Sequence, residues 1–345
     1  MRVEQIVLNK ERNVTLTAYL QEVGGEFRNV TKRPAMLVLP GGGYQFCSDR
    51  EADPVAMPYL KAGYQVFILR YSVKADAVWP NPLDDYDQAM ELIRSKSDEW
   101  HLFADKVAVI GFSAGGHLAA AAATMAKNRP NAAILGYAVA GEDVKGCNAS
   151  APDTIKAVDY KTCPCFLFAT RTDSVVPIAN SIHFMDALDK YGISFESHIY
   201  SYGPHGFSTC DTSVQHKDTE ISSRVPDWVE DSIGWLTEVL GDYGDGQMTE
   251  PLCKAHVSDD GEAFLSVDCT FGRLTGNPRA KELIDAMMEN MKKQGGQTAG
   301  AGMEVTEDMM KMVSKMKLRD MLAFGNAPQE VVEQIDGQLR KIPNI

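Results

Sequence analysis

The chain has 345 residues, 44% of them hydrophobic, and a formal net charge of −13. A single core usually fills fewer residues than this, so we expect one large domain and a smaller one. The negative charge argues against a nucleic-acid partner, which would need a basic face, and against large polyanionic substrates.

The sequence also predicts where the protein is located and whether it holds a metal or another cofactor. Its first residues do not form a positive segment followed by an apolar core, and no stretch is apolar for long enough to cross a membrane. The seven cysteines have no framework spacing, and only Cys163 and Cys165 lie close together. We therefore expect reduced thiols in the cytoplasm and no membrane partner, unless a leader has been removed. No cluster of His, Cys and Asp has metal-ligand spacing, so we expect neither a metal nor another cofactor.

Predicted strands and helices alternate through most of the chain. Apolar and polar residues alternate over residues 4–9 and 14–22, which predicts an antiparallel pair at a sheet edge. Further strands are predicted at residues 34–39, 64–71, 107–112, 132–140, 165–170 and 195–200, and helices at 53–62, 84–97, 117–125, 180–191 and 227–240. This alternation predicts an α/β fold with a mostly parallel sheet and helices on both faces.

The composition changes near residue 241, where a segment rich in glycine and aspartate has the character of a linker. We expect an α/β domain over residues 1–243 and a small helical module over 244–345. Its helices are predicted at residues 279–293, 306–317 and 328–342, the first with Asn277 as N-cap and Pro278 at its first position.

The helical module concentrates methionine at helical spacing. The residues are Met287, Met288, Met291, Met303, Met309, Met310, Met312, Met316 and Met321. This spacing favours core packing, and the alternative is a surface for a second copy of the chain or another partner, because methionine adapts to irregular contacts.

Residues 107–116 carry the motif that points most directly to chemistry. Gly111, Ser113 and Gly115 form a Gly-x-Ser-x-Gly pattern between a predicted strand and an alanine-rich helix. That context predicts a nucleophile elbow, a sharp turn that exposes the serine hydroxyl at the end of a strand. The two glycines are needed because a Cβ at either position would collide with neighbouring backbone.

A serine nucleophile needs a base, an acid that orients the base, and donors for an oxyanion. His205 lies in a glycine-flanked loop after the strand at 195–200, so it is the predicted base. Asp173 is the first carboxylate after the strand at 165–170, so it is the predicted acid. The alternatives are an ordinary turn histidine and a turn aspartate. His117, near the start of the elbow helix, is predicted to be structural or a neighbour of the site.

The predicted oxyanion donors are backbone N–H groups. Three glycines, Gly41 to Gly43, follow the strand at 34–39, and Ala114 stands at the start of the elbow helix. Bare N–H groups there approach a tetrahedral oxygen closely, and the helix dipole adds to the attraction. A phosphate loop is a poorer reading, because the glycines lack a following Gly-Lys-Ser/Thr sequence.

Four segments together resemble bacterial α/β-hydrolase esterases related to feruloyl and acetylxylan esterases and allied to the hormone-sensitive-lipase and arylformamidase groups. They are residues 40–44, 48–56, 69–72 and 111–119, and the resemblance covers roughly residues 15–240. It implies an α/β-hydrolase fold, a triad of Ser113, Asp173 and His205, and an oxyanion hole of Gly42, Gly43 and Ala114. Pro40 departs from the histidine that precedes the glycines in the hormone-sensitive-lipase group. Residues 250–345 resemble a helical extension of some bacterial carbohydrate-active enzymes.

The function expected from this resemblance is a serine esterase that hydrolyses short acyl esters, often acetyl groups on plant-derived oligosaccharides. The alternatives are an amidase or peptidase on the same fold, or an arylformamidase-like hydrolase. The short, polar segment at residues 141–164 favours an open site for a hydrophilic alcohol such as a sugar. Tyr44, Trp79 and Tyr202 are predicted to line that site, with ordinary packing as the alternative.

Overall fold

An eight-stranded sheet organises the first part of the chain. The structure, a computed structural model, describes residues 1–27, 29–243, 247–293 and 307–344. The strands are β1 Arg2–Asn9, β2 Val14–Leu20, β3 Arg33–Leu39, β4 Gln65–Arg70, β5 Leu102–Phe112, β6 Ala132–Gly136, β7 Cys165–Thr170 and β8 Phe195–Tyr200. Across the sheet the strands lie in the order β1-β2-β4-β3-β5-β6-β7-β8. β1 pairs with β2, and β2 with β4, in antiparallel fashion, and the other pairs are parallel. The predicted edge pair and the mostly parallel sheet are confirmed.

Helices cover both faces of this sheet. They are α1 Asp53–Lys61, α2 Asn81–Ser95, α3 Ser113–Met125, α4 Ala179–Lys190 and α5 Trp228–Leu240. Successive residues of a strand point to opposite faces, and Leu37 and Val38 accordingly belong to two different cores. The core on the Leu37 side includes residues of α2, α3 and α4, and the core on the Val38 side includes residues of α1 and α5.

Two elements differ from their predicted bounds beside the elbow. α3 begins at Ser113 itself rather than at residue 117. β6 ends at Gly136 rather than at residue 140, because the chain then leaves the ladder and turns over the elbow. There the N–H of Val139 donates to the carbonyl oxygen of Ser113 at 3.3 Å.

The chain divides into two units, Met1–Ala255 and His256–Ile345, whereas the sequence predicted a boundary after residue 243. The later boundary has a physical cause. Residues that follow α5 remain hydrogen-bonded to the first unit, since the N–H of Leu252 donates to the carbonyl oxygen of Glu238. The N–H of Ser194 likewise donates to the carbonyl oxygen of Ala255 at 3.0 Å.

The second unit is helical, as predicted. Its helices are α6 Phe271–Gly276, α7 Pro278–Lys293, α8 Glu307–Lys315, α9 Leu318–Phe324 and α10 Gln329–Leu339. Asn277 caps α7, because its Oδ1 accepts from the N–H groups of Arg279 and Ala280. The helices α6 and α9 were not predicted, since six and seven residues are too few to reveal a helical period.

The methionines of this unit divide between core and surface. Met287 packs against the core, whereas 62% of Met312 is exposed. Met303 lies outside the described residues, as do the side chains of Met288, Met291, Met309 and Met310. A homo-oligomer formed through these helices therefore stays a prediction. Among the described residues, no helix is both long enough and apolar enough to cross a membrane.

We expect Gly115→Ala to lower the free energy of unfolding by at least about 2 kcal/mol. The new Cβ would lie 2.2 Å from the carbonyl oxygen of Leu39 and 2.5 Å from that of Pro40. Gly234→Ala is the matched control. Gly234 lies in α5 with nothing within 4 Å of an added Cβ, so alanine should stabilise by about 0.5–1 kcal/mol. Urea unfolding measures both, and an unchanged midpoint for Gly115→Ala would contradict this packing.

Candidate active site

The turn from β5 into α3 has the geometry of a nucleophile elbow. Ser113 adopts a φ of +53°, in the left-handed region that residues other than glycine rarely adopt. A Cβ on Gly111 would lie 2.1 Å from the carbonyl oxygen of Gly115, and one on Gly115 would overlap the end of β3. Both glycines of the motif are therefore required by close backbone contacts, as the sequence predicted.

Ser113, His205 and Asp173 form a continuous hydrogen-bonded chain. The Nε2 atom of His205 lies 2.9 Å from the Oγ of Ser113, and its Nδ1 lies 2.6 Å from Oδ2 of Asp173. The side chain of Asp173 is 1% exposed and that of His205 is 15% exposed. The structure thus brings together the three residues that the sequence placed on separate loops.

Backbone amides fix the orientation of the carboxylate. Oδ1 of Asp173 accepts hydrogen bonds from the N–H groups of Val175 and Val176, at 2.8 and 2.9 Å. The other oxygen, Oδ2, faces Nδ1 of the His205 imidazole. A carboxylate held by three donors has little freedom to rotate, so the ring of His205 is held with it.

The loops that carry Asp173 and His205 are also joined to each other. The hydroxyl of Thr170 donates to the carbonyl oxygen of Gly203 at 2.8 Å, and the N–H of Gly203 donates to the hydroxyl of Thr172 at 2.9 Å. Gly203 adopts a φ of +155°, and a Cβ there would lie 2.8 Å from the side chains of Thr170 and Ile221. The loop that carries His205 is therefore anchored to the end of β7, the strand that precedes the Asp173 loop.

The glycine turn after β3 lies directly against the elbow. A Cβ on Gly41 would come within 3.1 Å of the Cβ of Ser113. Gly42 and Gly43 have φ values of +128° and +60°, which favour glycine. The N–H of Gly41 donates to Oε2 of Glu51 at 2.8 Å, so this group is already engaged. The candidate donors are then Gly42 and Gly43, with Ala114 at the N-terminus of α3.

A buried tyrosine and histidine pack behind the elbow. The hydroxyl of Tyr44 lies 2.7 Å from Nδ1 of His117, whose Nε2 lies 2.8 Å from the carbonyl oxygen of Pro152. A carbonyl only accepts, so Nε2 carries the proton and Nδ1 accepts from Tyr44. Burial lowers the pKa of His117 to about 4, which keeps the ring neutral at ordinary pH. His117 thus supports the glycine turn through Tyr44.

The three aromatic residues predicted to line the substrate site differ in exposure. Tyr44 is fully buried, so its ring presents no face to a sugar. Trp79 is half-buried, with its ring centroid 5.6 Å from that of His117, and Tyr202 is 43% exposed. Among the described residues, no group of three or more His, Cys, Asp or Glu side chains is arranged to hold a metal ion.

Sequence reasoning missed Glu51, whose carboxyl group lies at the centre of these contacts. Oε1 accepts from the hydroxyl of Tyr137 at 2.6 Å, and Oε2 accepts from Gly41. The ring of Tyr137 packs edge-on against His205, with centroids 5.0 Å apart. Burial raises the pKa of Glu51, and its hydrogen bonds and the nearby His205 and Arg50 oppose that rise. The only sequence signal was its place in the segment at 48–56 that carries the family resemblance.

Known proteins are similar to this chain in sequence and in fold. The BD-FAE family model matches residues 27–132. An α/β-hydrolase enzyme from a Medee basin deep-sea metagenome library is 44% identical, with a TM-score of 0.66 over 70% of this chain and 98% of that one. The chain belongs to an α/β-hydrolase esterase family related to the acetylxylan esterases. The predicted fold and the predicted resemblance are confirmed.

Curated relatives of this esterase family are longer proteins. The endo-1,4-beta-xylanase B of Butyrivibrio fibrisolvens is 31% identical over 51% of this chain and 33% of that protein. The acetylxylan esterase of Xylanibacter ruminicola is 28% identical over 50% of this chain and 41% of that protein. The chain therefore spans one third of the length of the first relative and about two fifths of the second.

We expect stability to fall as His117 becomes protonated. Its pKa is about 4 in the folded protein and about 6.5 in an unfolded chain, so the unfolded state binds more protons between these values. The stabilisation is present above about pH 6.5, and up to about 3 kcal/mol is lost as the pH falls to 4. Urea unfolding of wild type and His117→Gln measures this. The difference between their unfolding free energies should shrink below pH 6.5, and a constant difference would refute the assignment.

Proposed function

We propose that the chain is a serine esterase that hydrolyses short-chain acyl esters through an acyl-enzyme intermediate. The observation that carries this proposal is the hydrogen-bonded chain from Ser113 through His205 to Asp173, at 2.9 and 2.6 Å. The glycine turn beside Ser113 supplies the remaining requirement, a group of N–H donors for an oxyanion.

Acylation begins when Nε2 of His205 takes the proton of Ser113 as Oγ attacks the ester carbonyl carbon. The carbonyl π electrons move to the oxygen, which accepts hydrogen bonds from Gly42, Gly43 and Ala114. Each such donor contributes about 2.7–4 kcal/mol to lowering the barrier. The tetrahedral intermediate then collapses, the bond to the alcohol oxygen breaks, and His205 gives its proton to the departing alcohol.

Deacylation repeats these steps with water. His205 takes a proton from a water molecule, whose oxygen attacks the acyl carbonyl carbon. The second tetrahedral intermediate then collapses, the bond from the acyl carbon to Oγ of Ser113 breaks, His205 gives its proton to Oγ, and the carboxylic acid leaves. Asp173 holds the imidazole in the tautomer that presents Nε2 to the serine and stabilises the imidazolium ion. No external redox partner or cofactor enters this balance.

We further propose acetyl esters of plant-derived oligosaccharides as the substrates. One support is the similarity to an acetylxylan esterase. A second is the segment after β6, in which residues 137–164 contain no α-helix and the turn Glu142–Gly146 buries only Val144. An apolar lid for a long acyl chain is thus absent from this described segment. A third is a surface pocket of about 450 Å³ formed in part by the loop that carries His205 and lined by Thr172, Tyr202, Gly203, Pro204, Thr219 and Glu220.

We expect Ser113→Ala to lower kcat for p-nitrophenyl acetate by at least about 10³-fold, because the alanine has no nucleophilic oxygen. Ser95→Ala is the matched control, since Ser95 is an exposed residue at the end of α2 and should leave kcat within about twofold of the wild-type value. Stopped-flow measurement should also reveal a burst of p-nitrophenol if the acyl-enzyme accumulates. Equal rates for wild type and Ser113→Ala would rule out Ser113 as the nucleophile.

We expect the wild-type protein to release acetate from acetylated xylo-oligosaccharides. Mass spectrometry of the products detects each lost acetyl group, and p-nitrophenyl esters of increasing acyl length should give falling kcat/KM. Tyr202→Ala should raise KM for the oligosaccharide and leave KM for p-nitrophenyl acetate unchanged, because only the sugar reaches the pocket. Turnover of aryl amides without any deacetylation would favour the amidase alternative.

A further inference from the structure

The carboxyl group of Glu51 lies where two loops of the candidate site meet. Glu51 ends the short 3-10 helix Asp49–Glu51 and is 5% exposed, whereas the side chain of Asp49 in the same turn is 87% exposed. Its two oxygens have different partners, the N–H of Gly41 and the hydroxyl of Tyr137. One residue therefore holds two segments that are far apart in the sequence.

The first contact fixes the glycine turn. A Cβ on Gly41 would lie 2.7 Å from Oε2 of Glu51 and 2.7 Å from the carbonyl oxygen of Phe112. The peptide of Gly41 is thus pressed between the Glu51 carboxyl group and the residue before Ser113. The N–H groups of Gly42 and Gly43 follow directly, so their direction depends on how this peptide is held.

The second contact reaches the base. The hydroxyl of Tyr137 donates to Glu51 and accepts from the N–H of Ser208 at 3.0 Å, three residues after His205. The Tyr137 ring lies against the imidazole. The hydroxyl of Ser208 donates in turn to the carbonyl oxygen of Arg50, so the His205 loop is attached twice to the turn that carries Glu51.

A purely stabilising role accounts poorly for a carboxyl group at this position. Burial of a carboxyl group is costly, and replacement of buried charged groups by apolar ones of similar volume is often neutral or stabilising. What an apolar side chain cannot supply is two acceptors that point in different directions. The geometry therefore favours a role in arranging the site.

We propose that Glu51 is a positioning residue that holds the Gly41–Gly43 turn and the His205 loop in the mutual arrangement required for ester hydrolysis. This inference rests on the proposed function. Glu51 does not touch the reacting atoms and acts through Gly41 and Tyr137. Its removal should affect the transition state, in which the oxyanion forms, more than it affects substrate binding.

The test compares Glu51→Met, which removes both acceptors at similar length, with Glu51→Gln, whose carbonyl can still accept from Gly41. Asp49→Met is the matched control, because it makes a similar change at an exposed position of the same turn. For each variant, kcat and KM are measured with p-nitrophenyl acetate, and Tm is measured by circular dichroism. The inhibition constant is measured for phenylboronic acid, which forms a tetrahedral adduct on the serine.

We expect Glu51→Met to lower kcat by about 10- to 100-fold with KM changed by less than about threefold. The inhibition constant for phenylboronic acid should rise by a similar factor to the loss in kcat. Glu51→Gln should recover at least part of kcat, and Asp49→Met should remain within about twofold of wild type in kcat.

A folded Glu51→Met with wild-type kcat would overturn the proposal, and so would a loss of kcat with a lower Tm and an unchanged inhibition constant. If Glu51→Met does not fold, the kcat values of Glu51→Gln and Tyr137→Phe test the proposal instead. A loss of kcat in Tyr137→Phe of at least about threefold supports the role, and wild-type kcat in both variants overturns it. Ser113→Ala is assayed in parallel, because wild-type protein without turnover dependent on Ser113 would refute the esterase function itself, and this role with it.

Discussion

The close backbone contact between the end of β3 and the elbow is the constraint on which the rest of the site depends. The peptides of Gly41, Gly111 and Gly115 approach their neighbours so closely that a Cβ at any of them would overlap other atoms. This contact places the Ser113 hydroxyl beside the glycine turn, so the candidate nucleophile and the candidate oxyanion donors belong to one rigid piece of backbone. Flexible loops would not keep the Ser113 hydroxyl and these N–H groups close enough to act on the same substrate carbonyl group.

Asp173 and His205, the candidate acid and base, must then be brought to this piece of backbone from the far edge of the sheet. β8 is three strands away from β5 in the sheet order, which is about 14 Å at the usual strand spacing. The loop after β8 covers this distance by crossing the end of β7, where Gly203 is hydrogen-bonded to Thr170 and Thr172. The Asp173 loop begins at the same strand end, so these hydrogen bonds hold the loops of Asp173 and His205 in place relative to each other.

Two histidines near the elbow illustrate how surroundings decide chemistry. His117 is enclosed between a hydroxyl and a carbonyl, and burial lowers its pKa, so it remains a neutral hydrogen-bonding link. His205 meets the carboxylate of Asp173 on one side and the hydroxyl of Ser113 on the other. The carboxylate of Asp173 fixes the orientation of the ring, so that Nε2 faces the hydroxyl of Ser113. The same side chain therefore has a structural role in one place and is suited to proton transfer in the other.

The sequence predicted those parts of the site that follow from local pattern and chain order. The strand ends, the glycine pattern around Ser113 and the succession of serine, aspartate and histidine can all be read without three-dimensional information. Glu51 could not be found this way, because its partners Gly41 and Tyr137 come from the ends of two other strands. The burial of Tyr44 was missed for a similar reason, since its ring packs against Tyr71 and His117, which are distant in the sequence.

Four non-glycine residues around the candidate site have a strained backbone conformation. Tyr44, Ser113, Tyr137 and Ser208 have φ values of +59°, +53°, +34° and +51°. Conformations of this kind cost about 1–3 kcal/mol each and persist only where the surrounding structure over-determines them. Hydrogen bonds supply that support here, through His117 for Tyr44 and through Glu51 for Tyr137, whose hydroxyl in turn holds the N–H of Ser208. The buried polar groups therefore maintain a strained arrangement of the glycine turn and the His205 loop that a wholly apolar interior would release.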